Sequence, residues 1–166
     1  QRLSIIIDVA HSSPAVVEDI LAISKNPVVV SHTGIYGACA SARNLSDAQM
    51  KRIAERGGLV GIGFWESAIC DPTPAGVVRA IRVGIDLLGE DHVALGSDFD
   101  GSVSTHFDTS QLNILTQEMM NQGFTHREIK KVMGENLLTL LARQLPSTDS
   151  FKRPPNPSLS KAGQVQ

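Results

Sequence analysis

One pattern limits what this chain can fold into: a short apolar run followed by an amphipathic helix, repeated four times in succession. The runs are Ile5-Ile6-Ile7-Asp8-Val9, Val28-Val29-Val30, Leu59-Val60-Gly61-Ile62-Gly63-Phe64 and Val93-Ala94-Leu95-Gly96. Stretches of Val, Ile and Leu without polar alternation suit strands covered on both faces, as in a parallel sheet. Strands that alternate with helices define an α/β fold.

The helix starts are written in cap residues. Ser13-Pro14 and Thr73-Pro74 each place a hydroxyl at the N-cap and proline at the first helical position, where a missing N–H is harmless. Ser46-Asp47-Ala48-Gln49 and Thr125-His126-Arg127-Glu128 read as capping boxes. Val16, Ile20 and Ile23 recur at helical spacing after Ser13, as do Val77, Ile81, Ile85 and Leu88 after Thr73. Met50, Ile53 and Ala54 should face inward on the second helix, which Gly57-Gly58 ends. Further helices are expected over residues 110–122 and 125–145. Residues 146–166 hold Pro146, Pro154, Pro155 and Pro157 and few apolar side chains, the composition of a disordered tail. The folded domain is therefore expected over residues 1–145. The start at Gln1, straight into a strand, fits a piece of a longer chain.

A net charge of -2 argues against a nucleic-acid binder, so none is expected as a partner. No apolar run approaches the ~18 residues of a membrane-spanning helix.

In parallel α/β folds ligands bind at the carboxyl ends of the strands. His11 and His32 follow the first two runs, and two imidazoles on neighbouring strands can share a metal ion. The alternative is that each merely ties down its loop. Asp98 and Asp100 lie in Gly96-Ser97-Asp98-Phe99-Asp100-Gly101, where flanking glycines let backbone approach a ligand. A carboxylate there can bind metal, hold an ammonium or move a proton; an Asx-turn is the plainer reading. Arg43 could clamp a carboxylate through its fork. His92, His106 and His126 read as surface or capping positions. Cys39 and Cys70 follow neighbouring strand ends, so they either pair or remain free thiols. Gly61-Ile62-Gly63 lacks the third glycine of a dinucleotide fingerprint.

Four stretches, Asp8-Val9-Ala10-His11, Val30-Ser31-His32-Thr33, Ala42-Arg43-Asn44-Leu45 and Gly96-Ser97-Asp98-Phe99-Asp100-Gly101, together resemble the membrane (renal) dipeptidase family. Met133-Gly134-Glu135-Asn136-Leu137 is similar to its closing helix, and the likeness spans residues 3–145. The resemblance implies a (β/α)8 TIM-type barrel with two Zn²⁺ ions at the carboxyl end of its strands. It implies that His11 and His32 bind one zinc, that Arg43 holds the terminal carboxylate of a dipeptide, and that Asp98 moves protons. The family's opening His-x-Asp pair and bridging glutamate have no counterpart here, and Glu66 comes too late in the order. The chain is thus expected to be the second half of the barrel, with the remaining ligands upstream of Gln1 and no dipeptidase turnover by itself. Unpaired edge strands would favour a homodimer. Two rival readings remain: another metal-dependent barrel hydrolase, acting on cyclic amides or phosphoesters, and a non-catalytic half-barrel that binds a partner.

Overall fold

A computed structural model describes residues 3–146. Four parallel strands pair in the order β1-β2-β3-β4, each with its neighbour in sequence. They are β1 (Ile7–Asp8), β2 (Val28–Thr33), β3 (Leu59–Ile62) and β4 (Val93–Leu95). Helices α1 (Pro14–Ile23), α2 (Asp47–Glu55) and α4 (Pro74–Leu88) connect them, with a one-turn helix α3 (Glu66–Ile69) ahead of α4. After β4 come a 3₁₀ turn (Thr109–Gln111), α5 (Asn113–Asn121), α6 (His126–Lys130), a kinked helical segment (Lys131–Glu135) and α7 (Asn136–Gln144). This is the expected α/β succession of four strand–helix units. The expected tail falls, except for Pro146, outside the described residues.

Alternation along the strands decides which side chains meet the helices. Val28 and Val30, Val60 and Ile62, and Val93 join the main core with Val17, Leu21, Met50, Ile53, Val77 and Ile81. Leu59 and Ala94 belong to the opposite face, where Leu140 of α7 packs with Ile6 and Val29. Ser13, Ser46, Thr73 and Thr125 cap their helices as expected, accepting from the amides of Val16, Gln49, Gly76 and Glu128.

Three details differ from the sequence-based expectation. Helix α1 buries Val17 and Leu21 and leaves Val16 and Ile23 exposed, Ile23 at 78%. The segment Val16-Val17…Ile20-Leu21…Ile23 offers two apolar stripes, and packing selects the one adjacent to that anticipated. Ser46 forms only half of its capping box. Its hydroxyl donates to Gln49 Oε1, while Gln49 Nε2 donates to Pro14 O and Glu18 Oε1 and so ties α2 to α1. The helix expected over 125–145 is broken at Gly134, whose φ of 158° leaves helical geometry, so that α6 and α7 meet at a kink. Past this kink, buried Asn136 donates to Glu90 O and Val93 O, anchoring α7 beside β4.

Cys39 and Cys70 form a disulfide, which settles the choice left open by the sequence. It links the loop after β2 to the end of α3 across 31 residues, a closure that stabilises by about 3–4 kcal/mol in the chain-entropy account.

The capping box at α6 carries a pH dependence. Glu128 takes a hydrogen bond from Arg82 Nη1 at 2.5 Å, and Arg82 also stacks on Phe124. The Arg82 hydrogen bond, against the opposing effect of burial and with help from Thr125, lowers the Glu128 pKa from 4.5 to about 2. A depressed carboxylate stabilises the fold above its unfolded pKa, and that contribution disappears as pH falls from about 4.5 through about 2. Denaturant titrations should therefore show a Glu128→Gln variant losing stability relative to the native chain at pH 7. The gap should narrow progressively below pH 4.5; a pH-independent gap would contradict the assignment.

Candidate active site

The polar residues singled out from sequence collect at the carboxyl ends of the strands. His11 follows β1 and His32 lies near the end of β2, and their Nε2 atoms stand 2.8 Å apart. Asp98, just past β4, brings Oδ2 to 3.8 Å from His32 Nε2. Arg43 places Nη2 3.4 Å from His11 Nε2, with its guanidinium 5.5 Å from the centre of the Trp65 ring. His11, Arg43 and Asp98 line one cleft of about 850 Å³, which continues over Trp65, Glu66 and residues 101–106. His106 is exposed, as expected of a surface histidine, and also lines the cleft. His92 instead bonds Gly58 O through Nδ1, and His126 opens α6, the structural roles expected of them. Asp100 is exposed and does not line the cleft.

The backbone explains how these groups meet. Between Val30 and Thr33, β2 contains one residue more than β3 needs between Val60 and Ile62, a bulge at Ser31-His32. Such a bulge turns a side chain out of strict alternation. The Ser31 carbonyl can pack there only because Gly61 and Gly96 flank it: an added Cβ would lie 2.2 Å and 2.5 Å from that oxygen, respectively. His11 and Asp98 adopt φ of 63° and 58°, a left-handed conformation that side chains other than glycine rarely take. Backbone strain of this kind, on two of the cleft's polar residues, is characteristic of functional positions.

Sequence reasoning missed three supporting residues. Asp8 Oδ1 accepts from the amides of Ala10 and Ser31, both at 3.0 Å. Burial alone would raise its pKa. Hydrogen bonds from the Ser31 hydroxyl and these two amides, aided by His32, outweigh burial and hold it below the usual carboxylate value. The Ser31 hydroxyl also lies 2.9 Å from His32 Nδ1. Buried Asn44 accepts from the Gly34 amide and donates to the carbonyls of Cys39 and Ala68, fixing the loop that carries Arg43. Each lies within a stretch that carries the family resemblance, but position in a stretch alone carries no geometry.

The donor set suits a divalent cation. Arg43 can only donate, so His11 Nε2 meets it as an acceptor with a lone pair. Two imidazole nitrogens that meet at 2.8 Å, with a carboxylate nearby, are donors of the kinds that divalent metal ions take. Among the described residues no three His, Cys, Asp or Glu side chains form a complete metal-binding group. Among the same residues no helix is long and apolar enough to cross a membrane.

Comparison with known proteins places the chain in a family. The profile of membrane dipeptidase (peptidase family M19) matches residues 1–150. The chain belongs to that family, whose members are metal-dependent peptidases. It is 31% identical over 144 residues to the dipeptidase ataJ of Aspergillus terreus, covering 82% of this chain and 35% of that protein. It is likewise 31% identical over 145 residues to the dipeptidase verJ of Clonostachys rogersoniana, covering 84% and 37%. In structure it matches a metallopeptidase from Rhodobacter sphaeroides, solved with a phosphinate mimic of L-Ala-D-Ala, at a TM-score of 0.81 and 33% identity. That match covers 87% of this chain and 44% of the other. The chain therefore spans well under two thirds of the length of these relatives, in keeping with a partial barrel.

Proposed function

We propose that this chain provides one half of a zinc-dependent dipeptidase site, with two Zn²⁺ per complete centre. The single observation that carries the reading is the facing pair of Nε2 atoms on His11 and His32, with Asp98 beside them. His11 and His32 hold one ion. The other donors come from polypeptide equivalent to the portion of the relatives that this chain does not span. A bound divalent ion supplies a Lewis acid and makes water acidic enough to attack near neutral pH.

The chain's own groups do the rest. Asp98 takes the proton of the attacking water and returns it to the leaving amine, a transfer suited to a carboxylate held near the reacting centre. Arg43, fixed by its packing on Trp65 and by the Asn44 loop, receives the carboxylate of the substrate through two parallel N–H bonds. A clamp so close to the metal-binding pair admits a dipeptide and excludes a longer chain. The β1 and β4 edges and the exposed Ile5 and Ile23 are the surface that the missing half of the barrel, or a second copy of this chain, would cover.

A dipeptide-hydrolysis assay on the chain alone and on the chain extended to barrel length tests this. The extended protein should cleave dipeptides and lose that activity to a chelator, with zinc restoring it, while the chain alone stays inactive. Chelator-resistant cleavage, or a preference for cyclic amides or phosphoesters, would overturn the reading.

A further inference from the structure

Among the described residues the Arg43 guanidinium forms no ion pair with a carboxylate. Its contacts are with rings, His11 Nε2 at 3.4 Å and the Trp65 centroid at 5.5 Å. Contacts of that kind are individually weak, so the aim of the side chain depends on the loop that carries it. That loop, residues 34–46, leaves β2 and lies against α3, the helix that opens at Trp65. Two links fasten it there: Asn44 Nδ2 donates to Ala68 O at 2.8 Å, and Cys39 is bonded to Cys70 at the end of α3. Arg43 and Trp65 thus stand on two segments joined covalently, each a few residues from the crosslink. Cys70 has a φ of 64°, a left-handed conformation that favours glycine. Glycine would suit that backbone but cannot crosslink, so the disulfide, not the turn, accounts for the residue found.

We propose that Cys39 and Cys70 act as positioning residues for the carboxylate clamp: their disulfide holds the Arg43 loop against α3 and so keeps the guanidinium over Trp65 and beside His11. Opening the bond leaves the Asn44 hydrogen bond as the tether to α3 and returns freedom to the segment of 31 residues that the disulfide closes. The guanidinium then spends time in places from which its paired N–H bonds do not reach a substrate carboxylate. His11, His32 and Asp98 lie outside the closed segment, so the loss falls on KM rather than on kcat. The purpose of the crosslink rests on the reading of Arg43 as the clamp, but the seating of Arg43 on Trp65 can be measured without substrate or metal.

Trp65 is the one tryptophan of the 166-residue chain, and its two cysteines are those of the disulfide, so the chain reports on the contact by itself. A hollow of about 360 Å³ opens on Cys39 and Cys70, and Cys70 is exposed, which admits a water-soluble phosphine. The phosphine reduces the disulfide to two thiols and leaves as its oxide. In the oxidised chain Arg43→Ala should change Trp65 emission and its quenching by iodide. After reduction the native and Arg43→Ala chains should become alike in both, and reoxidation should restore the difference. In the barrel-length enzyme the pair Cys39→Ala and Cys70→Ala should raise KM for dipeptides on the order of 10-fold with kcat nearly unchanged. The pair should weaken the preference for a free acid over its C-terminal amide by the same factor, and add nothing to KM once Arg43 is alanine. Reduction needs no substitution, so a cysteine variant that fails to fold leaves the fluorescence test intact. No effect of Arg43→Ala on the oxidised chain, a difference that survives reduction, or KM increases that multiply on combination would each overturn the proposal. The expected fluorescence together with an Arg43→Ala enzyme of unchanged KM would uphold the positioning of Arg43 and count against its reading as the clamp.

Discussion

Replacing Arg43 by alanine in the barrel-length enzyme is expected to raise KM for dipeptides on the order of 100-fold, about 2.7 kcal/mol, with a smaller change in kcat. Paired N–H bonds to a carboxylate in a partly desolvated cleft are worth that much, and removal leaves the substrate's charge without a partner. Trp65 and Asn44 hold the guanidinium in place, so little entropy is lost when substrate binds. Arg43→Lys restores the charge without the fork and should recover only part of the loss. The revealing comparison is between a dipeptide and its C-terminal amide. The native enzyme should strongly prefer the free acid, and Arg43→Ala should not distinguish the two. A retained preference would remove Arg43 from the substrate site.

The second large effect concerns a residue with no side chain. Gly61→Ala would drive a Cβ to 2.2 Å from the Ser31 carbonyl, a backbone atom in the bulge that aims His32. The strands cannot separate there without breaking their pairing, so a loss of about 3 kcal/mol or more in unfolding free energy is expected. Gly84→Ala is the internal control. In the middle of α4 its new methyl would meet Val93 and Ile62 at 3.4–3.5 Å, ordinary contact, and removing a helical glycine should gain about 0.5–1 kcal/mol. Urea denaturation of both variants measures the contrast. Equal stabilities would show that the Ser31 carbonyl has room to move.

Much of this architecture was legible in the residues because local and global preferences agree. Ser13, Thr73 and Thr125 could be recognised as caps, since a hydroxyl before Pro, or three residues before Glu, has few other uses. His11, His32 and Asp98 could be grouped because a parallel sheet brings successive strand ends to one rim. The orientation of α1 was not legible: Val16 and Val17 begin equally spaced stripes, and only contact with the sheet chooses between them. Nor was the bulge, because inserting one residue in β2 changes no composition or period. Without it, Ser31 reads as a bystander of His32, and Asp8 as one more residue in an apolar run. The break within 125–145 escaped for a similar reason, since one glycine, Gly134, does not by itself announce a kink.

Anomalous diffraction at the zinc edge, from crystals of the protein grown with zinc, tests the central claim most directly. One peak is expected within about 2.0–2.1 Å of both the His11 and His32 Nε2 atoms. Zinc bound elsewhere, or held by only one of the two rings, would contradict it.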